Sequence, residues 1–200
     1  MKIAVYGDDN AWNELIQSNP AAEWIRAEDL RQLFGQDADA YFNLSGEIFS
    51  GSTPEKPYFI NSVMAPLSEL NAGQNAIRLN GWNGFLSNAA WEVAGEMTVP
   101  AAAVLSFLEK KVIPVADEPG LISARVLAMI INEAYYAESE AVSTSAEIDT
   151  AMKLGTNYPS GPFEWAEKIG LKNVYDLLQK LAAKDKRYQP APSLAKKILQ

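Results

Sequence analysis

From Lys2 to Val115, short apolar runs alternate with stretches of helical spacing. Lys2–Tyr6 (KIAVY) is a β-branched run that stops at Gly7, and Ala11–Gln17 repeats its apolar positions as a helix does. Glu23–Arg26 (EWIR) predicts a second, weaker strand and Glu28–Phe34 a short helix. Ala38–Leu44 and Tyr58–Ser62 read as the third and fourth strands, and Ala76–Leu79 starts a fifth. Val99–Lys110 then reads as a helix and Val112–Val115 (VIPV) as a last strand. Strands alternating with helices predict a mostly parallel sheet covered by helices.

After Pro119 and Gly120 the texture changes. Leu121–Val142 is a long, mostly apolar helical stretch with few breakers, as expected of a helix at the centre of a bundle. Thr144 followed three residues later by Glu147 has the form of a capping box. Tyr158–Pro162 predicts a turn, with Pro159, Gly161 and Pro162 as its builders. Further helices are expected at Phe163–Ile169, Asn173–Ala183 and Ser193–Leu199. The expected division is a small α/β domain over residues 1–117 and an all-helical one over 118–200.

Composition narrows the chemistry. The 48% hydrophobic content and five tryptophans fit a folded chain. No apolar run approaches the roughly 20 residues that span a bilayer, and the start MKIAVYGDD lacks the shape of a signal peptide. The expectation is a soluble cytoplasmic protein with no membrane partner. There is no cysteine, which excludes disulfides and thiolate metal sites, and no histidine. Any mechanism must therefore run without an imidazole, so serine–histidine, cysteine–histidine and histidine–zinc chemistries are excluded, and no metal site is expected.

The net charge of −8 argues against a nucleic-acid partner. Residues 1–117 hold 7 basic and 15 acidic side chains, whereas residues 118–200 hold 10 of each. All the excess negative charge thus lies in the α/β half, which disfavours an anionic ligand there.

A string of short motifs in the second half carries a resemblance. Asp117–Leu121 (DEPGL), Arg125–Leu127 and Asn132–Ala134 are followed by Glu147–Gly155 (EIDTAMKLG), Tyr158–Phe163 (YPSGPF) and Arg187–Pro192 (RYQPAP). In this order, over about eighty residues, the chain resembles the 3-hydroxyacyl-CoA dehydrogenase family. The resemblance implies an N-terminal Rossmann domain for NAD, then a helical domain that dimerises and helps form the acyl-CoA cleft. It implies oxidation of the 3-hydroxyl of an acyl-CoA to a ketone, with hydride passing to NAD. The expected fold class is α/β plus all-α: a reduced Rossmann-like N-terminal domain with a C-terminal helical dimerisation domain. The N-terminal half is shorter than the family's, mainly between the second and third strands, where the family has helices that contribute to CoA binding.

The positions that carry the chemistry are changed. A dinucleotide fingerprint uses three glycines for a tight turn, room for the pyrophosphate and close helix–strand packing. Here those positions read Gly7, Asp9 and Trp12, and only the first is a glycine. Asp8 and Asp9 set carboxylates where phosphate oxygens would lie, against the positive end of a helix. Asp9 or Asn10 therefore reads as a helix cap and not as a phosphate contact.

The family's base is a histidine in an arginine–x–x–glycine–x–histidine setting. Arg78–Asn83 (RLNGWN) matches it except that the base position falls on Asn83, whose amide takes up no proton at neutral pH. The glutamate that orients the histidine corresponds to Glu92, which reads as a relict, an ordinary surface acid or a substitute base. The family's serine falls on Val63, with Ser62 next to it if the register has slipped. The asparagine ahead of the arginine falls on Ala124. Lys180, Lys184, Lys186 and Arg187 read as a solvated face or as a reach toward a CoA phosphate, and Tyr135 and Tyr136 as core or interface.

Three functions fit these residues. The first is a catalytically degenerate family member, with no cofactor, that pairs as a homodimer through 118–200 and retains binding of an acyl-CoA or related metabolite. The second is an active NAD-dependent dehydrogenase with an atypical cofactor loop and Glu92 as base. The third is a structural or interaction module.

Overall fold

The computed structural model describes residues 1–53, 55–70 and 72–199, which fold as two units, Met1–Leu121 and Ile122–Gln200. In the first unit, Lys2–Tyr6 (β1) feeds α1 (Asp9–Ile16), and Glu23–Arg26 (β2) feeds α2 (Leu30–Gly35). Then come β3 (Ala40–Asn43), β4 (Tyr58–Asn61), α3 (Leu67–Leu70), β5 (Ala76–Leu79), β6 (Ala90–Ala94), α4 (Val99–Phe107) and β7 (Lys111–Pro114). The seven strands form one sheet in the order β2-β1-β3-β4-β5-β6-β7. The pairings from β2 to β5 are parallel, β6 runs antiparallel to β5, and β7 is parallel to β6.

The sheet is buried on both faces because successive residues of one strand feed different cores. Ile3 and Val5 pack with α1 and α4 beside Phe42, Phe59 and Trp91. Ala4 points the other way, toward Leu30, Leu33, Tyr41 and Tyr58. On the first face the Phe42 and Phe59 rings stack at 4.5 Å.

Several elements begin or end one to three residues from their expected bounds, as where the helix expected over Val99–Lys110 stops at Phe107, and two differences bear on the sheet. The strand expected over Ala38–Leu44 is confined to Ala40–Asn43, since Ala38 and Leu44 leave the ladder. β6 was not expected as a strand; its inward residues, Trp91 and Val93, each 3% exposed, complete the core on the α4 side. Between β2 and β3 the chain has only the six-residue α2. This is the short connection read from the sequence.

Arg78 on β5 is fully buried and bonds to the Asp117 carboxylate at 2.6 Å and to the Glu118 carbonyl. The other Asp117 oxygen accepts from the Leu67 N–H at 2.8 Å. One carboxylate thus fixes β5, α3 and the segment that leaves the first unit.

In the second unit the 17-residue α5 (Ser123–Ser139) buries Ala124, Leu127, Ala128, Ile131, Asn132, Ala134 and Tyr135 on one face. It is followed by α6 (Ser145–Thr156), α7 (Pro162–Ile169), α8 (Leu171–Ala182), a 3-10 turn at Lys186–Tyr188 and α9 (Pro192–Leu199). The Asn132 side chain donates to the Gln189 carbonyl at 2.9 Å and accepts from the Ala191 N–H at 2.8 Å, which seats the approach to α9. Thr144 and Glu147 form the capping box of α6. Asp149 accepts from the Phe163 and Glu164 N–H groups and so caps α7 from a neighbouring helix. Gly161 is required there, because a Cβ would overlap the Asp149 carboxylate.

Candidate active site

The carboxyl ends of β1, β3, β4 and β5 lie side by side, which is where an open parallel sheet holds its ligands. A cavity of about 300 Å³ opens there, lined by Tyr6, Gly7, Asp8, Leu44 and Ser45. Tyr6 donates its hydroxyl to the Glu47 carboxylate at 3.0 Å. That bond, with burial as a lesser cause, holds the phenol above its ordinary pKa. Asn43 organises the floor: its amide donates to the Glu47 carbonyl, and its oxygen accepts from Ser45 at 2.7 Å.

Gly7 is where the fingerprint places its first glycine, and packing alone explains it. A Cβ on Gly7 would sit 2.8 Å from the Leu44 Cβ, far inside van der Waals contact. At the N-terminus of α1 the Asp8 carboxylate accepts from the Ala11 N–H at 2.8 Å, and the Asp8 carbonyl accepts from Trp12 at 3.0 Å. The cap is therefore Asp8, one or two residues ahead of the Asp9 or Asn10 expected from sequence, and the helix starts at Asp9. Asp9 is instead paired with Arg26 at 2.5 Å, and the Arg26 guanidinium sits 5.4 Å from the centre of the Trp12 ring.

These residues do not fit a dinucleotide. A pyrophosphate needs free N–H donors and a bare backbone at the helix start. Here a carboxylate of the chain already takes the Ala11 donor and forms part of the cavity wall. Trp12 and Arg26 fill the side where the third glycine would leave room.

Asn83, the position to which the resemblance assigns the base, lies in the loop after β5. Gly81 donates to the Asn61 side chain at 3.0 Å, and Asn61 donates to the Leu44 carbonyl at 3.2 Å. Gly84 donates to the Glu14 carboxylate of α1 at 2.5 Å. Lys110 closes the far side, donating to the Leu86 and Asn88 carbonyls at 3.0 and 2.9 Å from above the Trp91 ring. Its burial lowers the Lys110 pKa. Asn83 is half-buried within this pinned loop, and Glu92 is half-buried on β6. Arg78 faces Ala94 and Leu79 faces Val93; carried one residue further, that register sets Glu92 beside Asn80. Asn83 and Glu92 thus belong to adjoining parts of the sheet end.

Val63 is 3% exposed, and its carbonyl accepts from the Gly120 N–H at 2.7 Å. Ser62 spends its hydroxyl proton on the Ala65 carbonyl at 2.9 Å. Ala124 is fully buried on α5 in the second unit. Lys186 and Arg187 are exposed, and Arg187 is engaged with Asp185 at 3.0 Å and with the Tyr188 hydroxyl at 2.8 Å. Among the described residues no group of three or more acidic side chains is placed to hold a metal ion, and no helix is long and apolar enough to cross a membrane.

Arg26, Glu14 and Lys110 were not picked out in the sequence. For Arg26 a signal existed: it lies about 20 residues after the first glycine, near where dinucleotide sites read the ribose. Glu14 and Lys110 carry no local signal.

Residues 120–200 match the model of the 3-hydroxyacyl-CoA dehydrogenase C-terminal domain. The chain is 41% identical over 92 residues to the 3-hydroxyadipyl-CoA dehydrogenase of Escherichia coli, covering 45% of this chain and 19% of that protein. It is 37% identical over 105 residues to a probable 3-hydroxybutyryl-CoA dehydrogenase of Bacillus subtilis, covering 52% of this chain and 37% of that one. The chain thus spans well under half the length of these two relatives.

The fold is shared over 99% of this chain, at a TM-score of 0.76 and 21% identity, with an (S)-3-hydroxybutyryl-CoA dehydrogenase from Ralstonia eutropha, 93% of which is covered. The 3-hydroxybutyryl-CoA dehydrogenase of Escherichia coli K12 aligns with 70% of this chain and 31% of its own at 28% identity, with a TM-score of 0.58. Residues 120–200 thus resemble the C-terminal domain of 3-hydroxyacyl-CoA dehydrogenases, and the chain as a whole shares the fold of the Ralstonia eutropha enzyme.

Proposed function

We propose that this chain is a 3-hydroxyacyl-CoA dehydrogenase relative that has lost the redox step and binds no NAD. In this reading it keeps the family's helical domain, residues 118–200, to pair with a second copy and to hold an acyl-CoA or related metabolite of fatty-acid chemistry. Residues 1–117 serve as a shortened Rossmann-like partner domain, and the protein works in the cytoplasm without nucleic acid or membrane.

The observation that carries this is the start of α1. The Asp8 carboxylate caps the helix, and Asp9, Arg26 and Trp12 close on one another at the turn where a dinucleotide's phosphates would need free donors. The changes at the base, hydroxyl and amide positions, now Asn83, Val63 and Ala124, support the same reading. A single such change would be compatible with a repaired site. Three, beside an altered turn, leave no group that can take the hydroxyl proton as an imidazole does.

The test is NADH oxidation with acetoacetyl-CoA at high protein concentration, with Glu92→Gln alongside. The expected result is no turnover in either protein. Turnover abolished by Glu92→Gln would overturn the proposal in favour of an active dehydrogenase with a carboxylate base.

A further inference from the structure

The cavity at the ends of β1 and β3 is rimmed by groups whose hydrogens are already engaged within the chain. The Leu44 N–H donates to the Tyr6 carbonyl at 2.6 Å, and the Trp12 N–H to the Asp8 carbonyl at 3.0 Å. The Ala11 N–H donates to the Asp8 carboxylate at 2.8 Å, and the Ser45 hydroxyl to the Asn43 side chain at 2.7 Å. The Glu47 N–H donates to the Ser45 hydroxyl at 3.0 Å, and the Tyr6 hydroxyl to the Glu47 carboxylate at 3.0 Å. The side-chain groups left over are acceptors: the second carboxylate oxygens of Asp8 and Glu47 and the lone pairs of the Tyr6 oxygen. Leu44 supplies an apolar part of the wall.

No cation of the chain offsets these acids. Among the described residues neither Asp8 nor Glu47 has an ion-pair partner, and Arg26, at the same turn, is paired with Asp9. The unit Met1–Leu121 carries 7 basic and 16 acidic side chains, so the wider field has the same sign. The Tyr6 phenol responds to it. Its pKa is raised first by the bond to Glu47, then by burial, and further by the charges of Glu47 and Asp29. A negative potential over leftover acceptors rejects phosphates and carboxylates. It favours a ligand that brings its own positive charge and N–H groups.

Resting on the loss of the dinucleotide site proposed above, we propose that this cavity binds a small organic cation, an ammonium or guanidinium head on a short apolar stem. The head bonds to the carboxylates of Asp8 and Glu47, and the stem lies against Leu44. The volume of about 300 Å³ is at the lower end for small-molecule sites and suits so compact a ligand.

The test follows backbone amide signals by nuclear magnetic resonance during titration with n-butylguanidinium, n-butylammonium and, as the anionic counterpart, butyrate. At least one of the two cations is expected to shift the Gly7, Asp8 and Ser45 amides saturably, with a dissociation constant of about 10 mM or tighter. Butyrate is expected to leave them in place. Asp8→Asn keeps a helix-capping side chain, and Glu47→Gln keeps an acceptor for Tyr6. Each is expected to weaken cation binding by at least about tenfold. Glu96→Gln removes an exposed acid that follows β6, whose Ala94 lies beside Arg78 on β5, and is expected to change nothing. No saturable shift with either cation, equal shifts with butyrate, or cation binding indifferent to both Asp8→Asn and Glu47→Gln would overturn the cation site and leave the loss of NAD binding intact. Saturable shifts of the same amides by NADH would overturn the reading on which it rests.

Discussion

The Arg26 guanidinium donates to the Asp9 carboxylate at 2.5 Å, joining the last residue of β2 to the first of α1. The pair spans the turn that a dinucleotide-binding protein leaves open. Its side chains are 45% and 81% exposed, so it does little for stability. Arg26→Ala is expected to change the unfolding free energy by under about 1 kcal/mol in urea titration. It is also expected to create no affinity for NADH, because Asp8 and Asp9 then face the phosphates without a compensating cation.

Arg78 and Asp117 behave differently, because Arg78 is wholly buried and Asp117 is 30% exposed. Asp117→Ala leaves a buried cation without its carboxylate, frees the Leu67 N–H, and is expected to cost about 3–5 kcal/mol. Arg78→Met leaves an acid that water can reach, and is expected to cost less. Denaturant unfolding of the two variants should show that order.

The acid limb of stability is expected to report on the helix caps of the second unit. Bonds from the Ser143 hydroxyl and then from Thr144 hold the Glu147 carboxyl below its ordinary pKa. Glu164 is lowered first by Lys153 and then by the Gly161 N–H. A lowered pKa in the fold contributes stability above the unfolded value of about 4.3, and that contribution is lost as pH falls through the folded value. Thermal melts between about pH 6 and 3 should therefore fall less steeply in the Glu147→Gln, Glu164→Gln double variant than in the wild type.

Asn83→His places an imidazole where the resemblance assigns the base and is expected to give no dehydrogenase activity by itself. The altered turn at Asp8, Asp9 and Trp12 is untouched by that change. Coupled spectrophotometric assay with acetoacetyl-CoA checks it.

Local pattern carried much of this fold. β1 and β2 begin and end where their apolar runs do, and the Thr144–Glu147 box opens α6 as its spacing indicates. β6 escaped because five residues, AWEVA, carry too little alternation to stand out without the β5 and β7 ladders that fix them. The altered fingerprint was legible in the spacing of Gly7, Asp9 and Trp12, since each glycine has its own steric reason. Its consequences were not. Whether Asp8 or Asp9 caps α1 depends on which carboxylate Arg26 draws away, and the bond from Gly84 to Glu14 joins residues 70 apart in sequence.

The central claim, that the nucleotide site is lost, is tested most directly by titrating the wild-type protein with NADH and following cofactor fluorescence. No saturable binding up to about 1 mM is expected, which corresponds to less than about 4 kcal/mol of affinity. Saturable binding in the micromolar range would contradict the account and would mean that the turn at Asp8 and Asp9 opens to admit the pyrophosphate.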